Sequence, residues 1–355
     1  MVKTSPLPFV FDSDSQHCHY KSLDKSLVWG VFCQFDQQPI QLTHDIVLHR
    51  LTTGTFPSEL ADLDGWCWFH FDVTDSSFQD QIITLLPFSE EVQQELINFE
   101  RNICLESEGR TIFGAFPSLN NTTLESEQNI NLWRFALEPD LLLTTSSNTA
   151  TTLEITYHKL LHGMVPRSPA ALVDKILLEF ASILRKDSTY LDNQLDRIED
   201  MLLTPDQHTD LGHINSSLGI VRRRSTELRR ILAPVNRIFS DEELDLPDWA
   251  EDDLHDHSQR QVYAAMDDLL ALQERARSLQ DELTSIQTEE TNQRLYLVSI
   301  GTTLMLPATF VTGFFGMNTS GMFLTGSPWG TVEAGGVCFL FMVGTWLILK
   351  FSKLL

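Results

Sequence analysis

The chain has 355 residues, with 49 acidic against 25 basic side chains and a formal net charge of −24. That balance excludes a nucleic-acid-binding surface as its main business, and no nucleic-acid partner is expected. Five cysteines, odd in number and without a C-x-x-C pair, exclude a disulfide framework and suit a reducing compartment. The charge is also unevenly spread. No Asp, Glu, Lys, Arg or His lies between Arg294 and Glu333. Residues 295–355 carry Glu333, Lys350 and Lys353, a net of +1, so residues 1–294 carry −25, the whole-chain −24 less that +1.

Residues 1–26 begin Met1-Val2-Lys3 and soon reach Asp12 and Asp14, without the apolar h-region of a signal sequence and without an Arg-rich amphipathic pattern. No cleaved targeting segment is expected there, and the stretch reads as flexible. Its His17-Cys18-His19 is a metal-ligand trio by residue type only. Residues 27–169 read as an α/β unit. Short β-branched or aromatic apolar runs occur at 27–37, 45–53, 65–73, 110–119 and 130–146. Helical stretches are expected at Ser76–Leu86 and Ser89–Glu100, the second with Ser89 as N-cap and Glu90 and Glu91 in the first turn. His70, in Trp68-Phe69-His70-Phe71, reads as a half-buried strand residue rather than a ligand.

The texture turns helical over residues 170–255. Ala170–Leu203 and His213–Phe239 have helical periodicity and are split by the turn Thr204-Pro205-Asp206. Arg222, Arg223, Arg224, Arg229 and Arg230 form a basic run expected to be a solvated face paired with nearby acids. Glu251-Asp252-Asp253-Leu254-His255-Asp256-His257 is a dense acid/His cluster at the head of the next helix. Carboxylates there are favoured by the helix dipole alone. The functional reading is a cytoplasmic divalent-metal site formed by Asp252, Asp253, His255, Asp256 and His257.

Residues 256–294 continue as a stalk helix. Apolar or small residues recur at Val262, Met266, Leu269, Leu272, Ala276, Leu279, Leu283 and Ile286, and no Pro or Gly intervenes before Gly301. One helix from residue 256 to 315 would be about 90 Å long. Such a stripe is expected to bury itself against helices of other copies, in a parallel oligomeric stalk.

Leu295–Phe315 is 21 residues without charge, enough to cross the membrane once, and Val332–Leu349 is a second apolar run. The domain plan is a first span at 295–317, an external loop at 318–331, a second span at 332–350 and a cytoplasmic tail at 351–355. Arg294, Lys350 and Lys353 flank the hairpin on one side, which puts both termini in the cytoplasm. Stepping at 3.5 residues through the first span gives Asn292, Leu295, Ser299, Thr302, Leu306, Thr309, Gly313 and Gly316, a stripe of hydroxyl or small residues broken by two leucines. Packing between membrane helices and the lining of a cation pore both use such a stripe, and periodicity leaves the two open. Metalloprotease, nucleophile-elbow, phosphate-loop and dinucleotide motifs are absent, so no enzyme and no catalytic cofactor are expected.

At Gly316-Met317-Asn318 an extended helix closes its first span, and a short loop leads to a second span ending in lysine. With Trp68-Phe69-His70-Phe71, Leu85-Leu86-Pro87, Arg229-Arg230-Ile231-Leu232-Ala233-Pro234 and Leu306-Pro307-Ala308-Thr309-Phe310-Val311-Thr312-Gly313, this resembles the CorA superfamily of divalent-cation transporters. Within that superfamily the chain is most similar to ZntB-type zinc transporters, because Thr319-Ser320-Gly321 stands where magnesium-type members carry an acidic loop.

The resemblance implies an inner-membrane homopentamer: an α+β (α/β/α-like) cytoplasmic funnel, a long stalk helix, a ring of first spans around the pore and a ring of second spans outside. It implies that Gly316, Met317 and Asn318 form the pore mouth. Ser299, Thr302, Thr309 and Gly313 would line the pore, and Leu295 and Leu306 would constrict it. The implied substrate is Zn2+, with Mg2+, Co2+, Ni2+ or Cd2+ as alternatives, in a lipid bilayer. Proton coupling, which the ZntB type suggests, would fall to Glu333 or a cytoplasmic histidine. A membrane-anchored metal sensor that does not conduct is the alternative of another class.

Overall fold

The computed structural model describes residues 26–35, 37–56, 60, 63–75, 78–79, 83–100, 102–118, 131–147, 150–203, 211–240, 246–255, 257–317 and 329–351. His17-Cys18-His19, the turn at 204–206 and most of the loop after Met317 lie outside these residues.

Among the described residues seven strands form one sheet: β1 (Leu27–Cys33), β2 (Ile40–Gln41), β3 (Trp66–Asp72), β4 (Cys104–Glu108), β5 (Thr111–Ser118), β6 (Asn131–Glu138) and β7 (Leu141–Ser146). Their order across the sheet is β2-β1-β3-β7-β6-β5-β4. Every neighbouring pair is antiparallel except β3 with β7, which run parallel with Cys67 beside Leu141 and Phe71 beside Thr145. Period-two alternation sends Phe69 and Phe71 to one face and Trp68 and His70 to the other. All four are buried, which explains why β3 reads as one continuous apolar run rather than an alternating one.

Helices cover both faces. The face carrying Phe69 and Phe71 packs with Val47, Leu48 and Leu51 of α1 (His44–Thr53) and with Val92 and Leu96 of α2 (Glu90–Ile97). Across the sheet, α3 (Thr151–Leu161) sets Tyr157 against Trp29 and Trp68. Burying one Phe or Trp of this set contributes about 2–3 kcal/mol, so the aromatic strands dominate the core.

The run at 45–53 forms α1 rather than a strand. Its apolar positions Val47, Leu48 and Leu51 recur at three and four, which is helical spacing, and β-branching at Ile46, Val47, Thr52 and Thr53 did not override it. Gly54 ends α1 in the left-handed region at φ 72° and donates its N–H to Arg50 O. The stretch expected as a helix at Ser76–Leu86 has, among its described residues, a 3-10 turn at Ile83–Leu85. Ser89 caps α2 by accepting from Val92 N. β4 was not foreseen; Cys104-Leu105-Glu106-Ser107-Glu108 is too polar to read as a strand, and it holds its place by pairing with β5. That pairing runs so close at Gly114 that a Cβ there would lie 2.2 Å from Cys104 O.

Beyond the sheet come α4 (Pro169–Leu203), α5 (Leu211–Phe239), α6 (Asp248–His255), α7 (Ser258–Phe315) and α8 (Gly330–Phe351). The chain divides into two compact units, residues 1–201 with 216–276 and residues 202–215 with 277–355. In the first unit, Val262, Leu269, Leu272 and Ala276 of α7 are buried. Arg275 holds Asp192, Asp196 and Glu199 of α4 at 2.7, 2.6 and 2.5 Å. Most of the stalk stripe is thus buried within the single chain, with Met266 and Ile286 half-buried, so its burial does not by itself call for the other copies expected; the stripe alone could not say which helices covered it. In the second unit, Leu279 and Leu283 are also buried, whereas from Thr288 to Ser299 α7 is exposed on every side.

Candidate metal-ion pathway

Among the described residues two helices are long and apolar enough to cross a membrane, the C-terminal part of α7 and α8. The helical ladder of α7 runs through Pro307 to Phe315. Proline has no N–H to give to the carbonyl of Thr303, a defect that neighbouring groups can cover in a membrane helix.

The two helices meet along a definite side of α7. Val311 is buried (5 % exposed), Leu304, Pro307 and Ala308 are half-buried, and Cys338 Sγ of α8 lies 4.0 Å from Ala308 O. Residues 304, 307, 308 and 311 are neighbours on one helical face. The stripe Asn292, Leu295, Ser299, Thr302, Leu306, Thr309, Gly313 and Gly316 is exposed throughout, with Leu295 at 62 % and Leu306 at 64 %. At about 100° per residue, its mean direction lies roughly half a turn around α7 from the α8 side. Packing within the hairpin therefore does not account for the stripe.

The hydroxyls have a second property. Thr302 Oγ1 donates to Val298 O at 2.8 Å, and Thr309 Oγ1 donates to Met305 O at 3.0 Å. With the hydrogen used inside the helix, each hydroxyl turns only lone pairs outward. Thr303 and Thr312, off the stripe, bond their helix in the same way. An outward row of acceptors on an uncharged helix suits a cation, or the outward-pointing hydrogens of its water shell.

Of the expected mouth, Gly316 and Met317 are described and exposed, and Asn318 lies outside the described residues. Glu333 is exposed in the first turn of α8, where the helix dipole favours a carboxylate. Of the acid/His cluster, Asp253 accepts a bond from Ser168 Oγ, and His257 is exposed. Asp256 and the side chains of Asp252 and His255 lie outside the described residues. Among the described residues no three His, Cys, Asp or Glu side chains converge into a metal site.

Two arginines of the basic run pair with acids, as expected. Arg224 reaches Asp187 at 3.0 Å and Arg223 reaches Glu227 at 3.0 Å, although Arg224 is buried rather than solvated. His70 is wholly buried, not half-buried. It stacks on Trp29 at 4.2 Å and bonds Thr144 Oγ1 at 2.9 Å, and burial pushes its pKa down to about 3. Burial likewise pushes the Cys33 thiol up to about 12 and the Cys67 thiol well above its ordinary value, so neither is a thiolate ligand. The three-carboxylate clamp on Arg275 went unseen in sequence, though the acids at 192, 196 and 199 follow helical spacing and signal one face.

Residues 64–353 match the family described as CorA-like Mg2+ transporter protein. The chain is 32 % identical over 143 residues to the zinc transport protein ZntB of Pectobacterium atrosepticum, spanning 37 % of this chain and 43 % of that protein's length. It is 24 % identical over 279 residues to the ZntB of Klebsiella pneumoniae, spanning 76 % of this chain and 82 % of that protein. The solved full-length CmaX protein shares the fold, with a TM-score of 0.69 at 21 % identity, over 93 % of this chain and 98 % of that one. A family match that runs from the sheet through both apolar helices makes the chain a member of the CorA-like Mg2+ transporter family.

Proposed function

We propose that the protein carries divalent cations, zinc foremost, across the inner membrane through a pore built from five copies. The observation that carries this reading is the hydroxyl stripe of α7, exposed on the side away from α8, where Thr302 and Thr309 offer acceptors. A membrane anchor has no use for such a face, which speaks against a sensor that does not conduct. In a ring of five, Ser299, Thr302, Thr309 and Gly313 would face the axis, and Leu295 and Leu306 would narrow it. Five Asn318 amides would form the mouth with Gly316 and Met317. Residues 1–294 at −25 per copy would concentrate cations at the cytoplasmic end, within the roughly 10 Å that salt allows.

Zinc as cargo is supported by similarity to the zinc transport proteins, which reaches 82 % of the Klebsiella protein's length. The family description favours a second reading, a magnesium channel of the same architecture. Zinc and magnesium uptake into proteoliposomes, with and without an inward proton gradient, separates them. Zinc flux above magnesium flux that falls with Asn318→Ala supports the first reading, and magnesium flux with little zinc supports the second. No flux of either, with metal still bound, would assign a sensor. If protons are coupled, Glu333 is the proposed carrier; Glu333→Gln retaining the full pH dependence of flux would remove it.

A further inference from the structure

In the first unit an open groove of about 600 Å³ is lined by Lys159 of α3, by Leu178, Glu179, Ser182, Arg185, Lys186 and Thr189 of α4, and by Gln261 of α7. Its charge opposes that of the molecule. The chain has half as many basic as acidic residues, yet this lining has three cations to one carboxylate. The α4 contributors recur at three and four, so one helical face presents them together.

The local pairs do not use up these donors. Lys159 is paired with Glu179. Arg185 gives Nε to Asp268 at 3.3 Å and Nη1 to Gln261 at 3.1 Å, which leaves Nη2 for a ligand. Lys186 is exposed and, among the described residues, has neither an ion pair nor a hydrogen bond. With Asp268 counted, the cluster still holds a net +1 before any ligand enters.

We propose that this groove binds a compact phosphate-type polyanion of pyrophosphate size. A guanidinium edge beside an ammonium suits phosphoryl oxygens, the first by directed N–H bonds and the second as a mobile point charge. The lining has no aromatic ring on which a nucleobase could stack, and Leu178 is its one apolar side chain. The ligand class is therefore the phosphate chain itself rather than a nucleotide read through its base.

The test is calorimetric titration of pyrophosphate into the full-length protein in non-ionic detergent, at about 0.15 M salt with EDTA so that metal–pyrophosphate complexes do not form. Lys186→Glu is the informative variant, since it breaks no contact among the described residues. Arg222→Glu, on exposed α5 surface outside the groove, makes the same change in net charge. The expected result is saturable binding that weakens about tenfold or more in Lys186→Glu and is unchanged in Arg222→Glu. Absence of binding by the unaltered protein, or equal loss in both variants, would overturn the proposal. Citrate binding as tightly as pyrophosphate would overturn the phosphate assignment. A change in oligomer mass in Lys186→Glu would instead give the groove to an acidic segment of a second copy.

Discussion

His70 makes the stability of the sheet depend on pH in a calculable way. Its ring is enclosed by Trp29, Thr144 and Ser146, with contacts at 4.2, 2.9 and 3.3 Å, and burial holds its pKa at about 3 against 6.5 when unfolded. The folded pKa lies below the unfolded one, so the unfolded chain takes up the proton first. The stability is complete above about pH 6.5 and is lost as pH falls from there toward 3. Between pH 7.5 and 5.0 the difference is about 2 kcal/mol, or RT times the logarithm of roughly 30, which is one plus the protonated-to-neutral ratio of the unfolded ring at pH 5.0. The assay is urea unfolding of the full-length protein in non-ionic detergent, followed by tryptophan fluorescence, which Trp29 and Trp68 report beside the ring. His70→Gln keeps hydrogen-bonding groups but does not titrate, so its loss over the same interval should be smaller by about 2 kcal/mol. Equal losses in both proteins would refute the assignment.

Three further outcomes are expected. Thr302→Val replaces the outward acceptor with a methyl group of the same shape, and zinc flux in proteoliposomes should fall about fivefold to tenfold, the worth of about 1 kcal/mol, with the melting temperature unchanged. Gly114→Ala drives a Cβ against Cys104 O and should cost about 2–3 kcal/mol in urea unfolding, detaching β4 from the sheet edge. Arg275→Met leaves Asp192, Asp196 and Glu199 facing one another, and should destabilise by about 1 kcal/mol at low salt, with most of the loss recovered near 1 M salt.

The sequence disclosed most where one force dominates. Runs of uncharged residues announced both apolar helices, and Ser89 followed by two glutamates announced α2 with its cap. Burial on both faces hid alternation in β3, but its aromatic density still read as strand. Residues 45–53 misled because β-branched residues and helical spacing conflict there, and packing of Val47 and Leu51 decided the outcome. β4 was illegible because its stability comes from a partner strand and not from its own side chains. The hydroxyl stripe was legible as a pattern, while its direction was not. The burial of Val311 and the contact of Ala308 with Cys338 say which side of α7 faces α8, and hence which side does not. The groove around Lys186 was beyond reach, because Lys159 and Gln261 come to α4 from distant parts of the chain.

The lone parallel pair, β3 with β7, has a kinetic consequence. On one side of it β2-β1-β3 is joined by antiparallel pairings, the longer closing the 32 residues between Cys33 and Trp66, and on the other β4 to β7 form an antiparallel meander. The junction instead joins Cys67 to Leu141, a far longer loop whose closure entropy must be met before any contact across it forms. Each half sheet is therefore expected to assemble before the two join, with docking of β3 on β7 as the slow step. Until that step is complete, two bare strand edges, one of them the aromatic edge at Trp66–Phe71, stand open to pairing with another nascent chain.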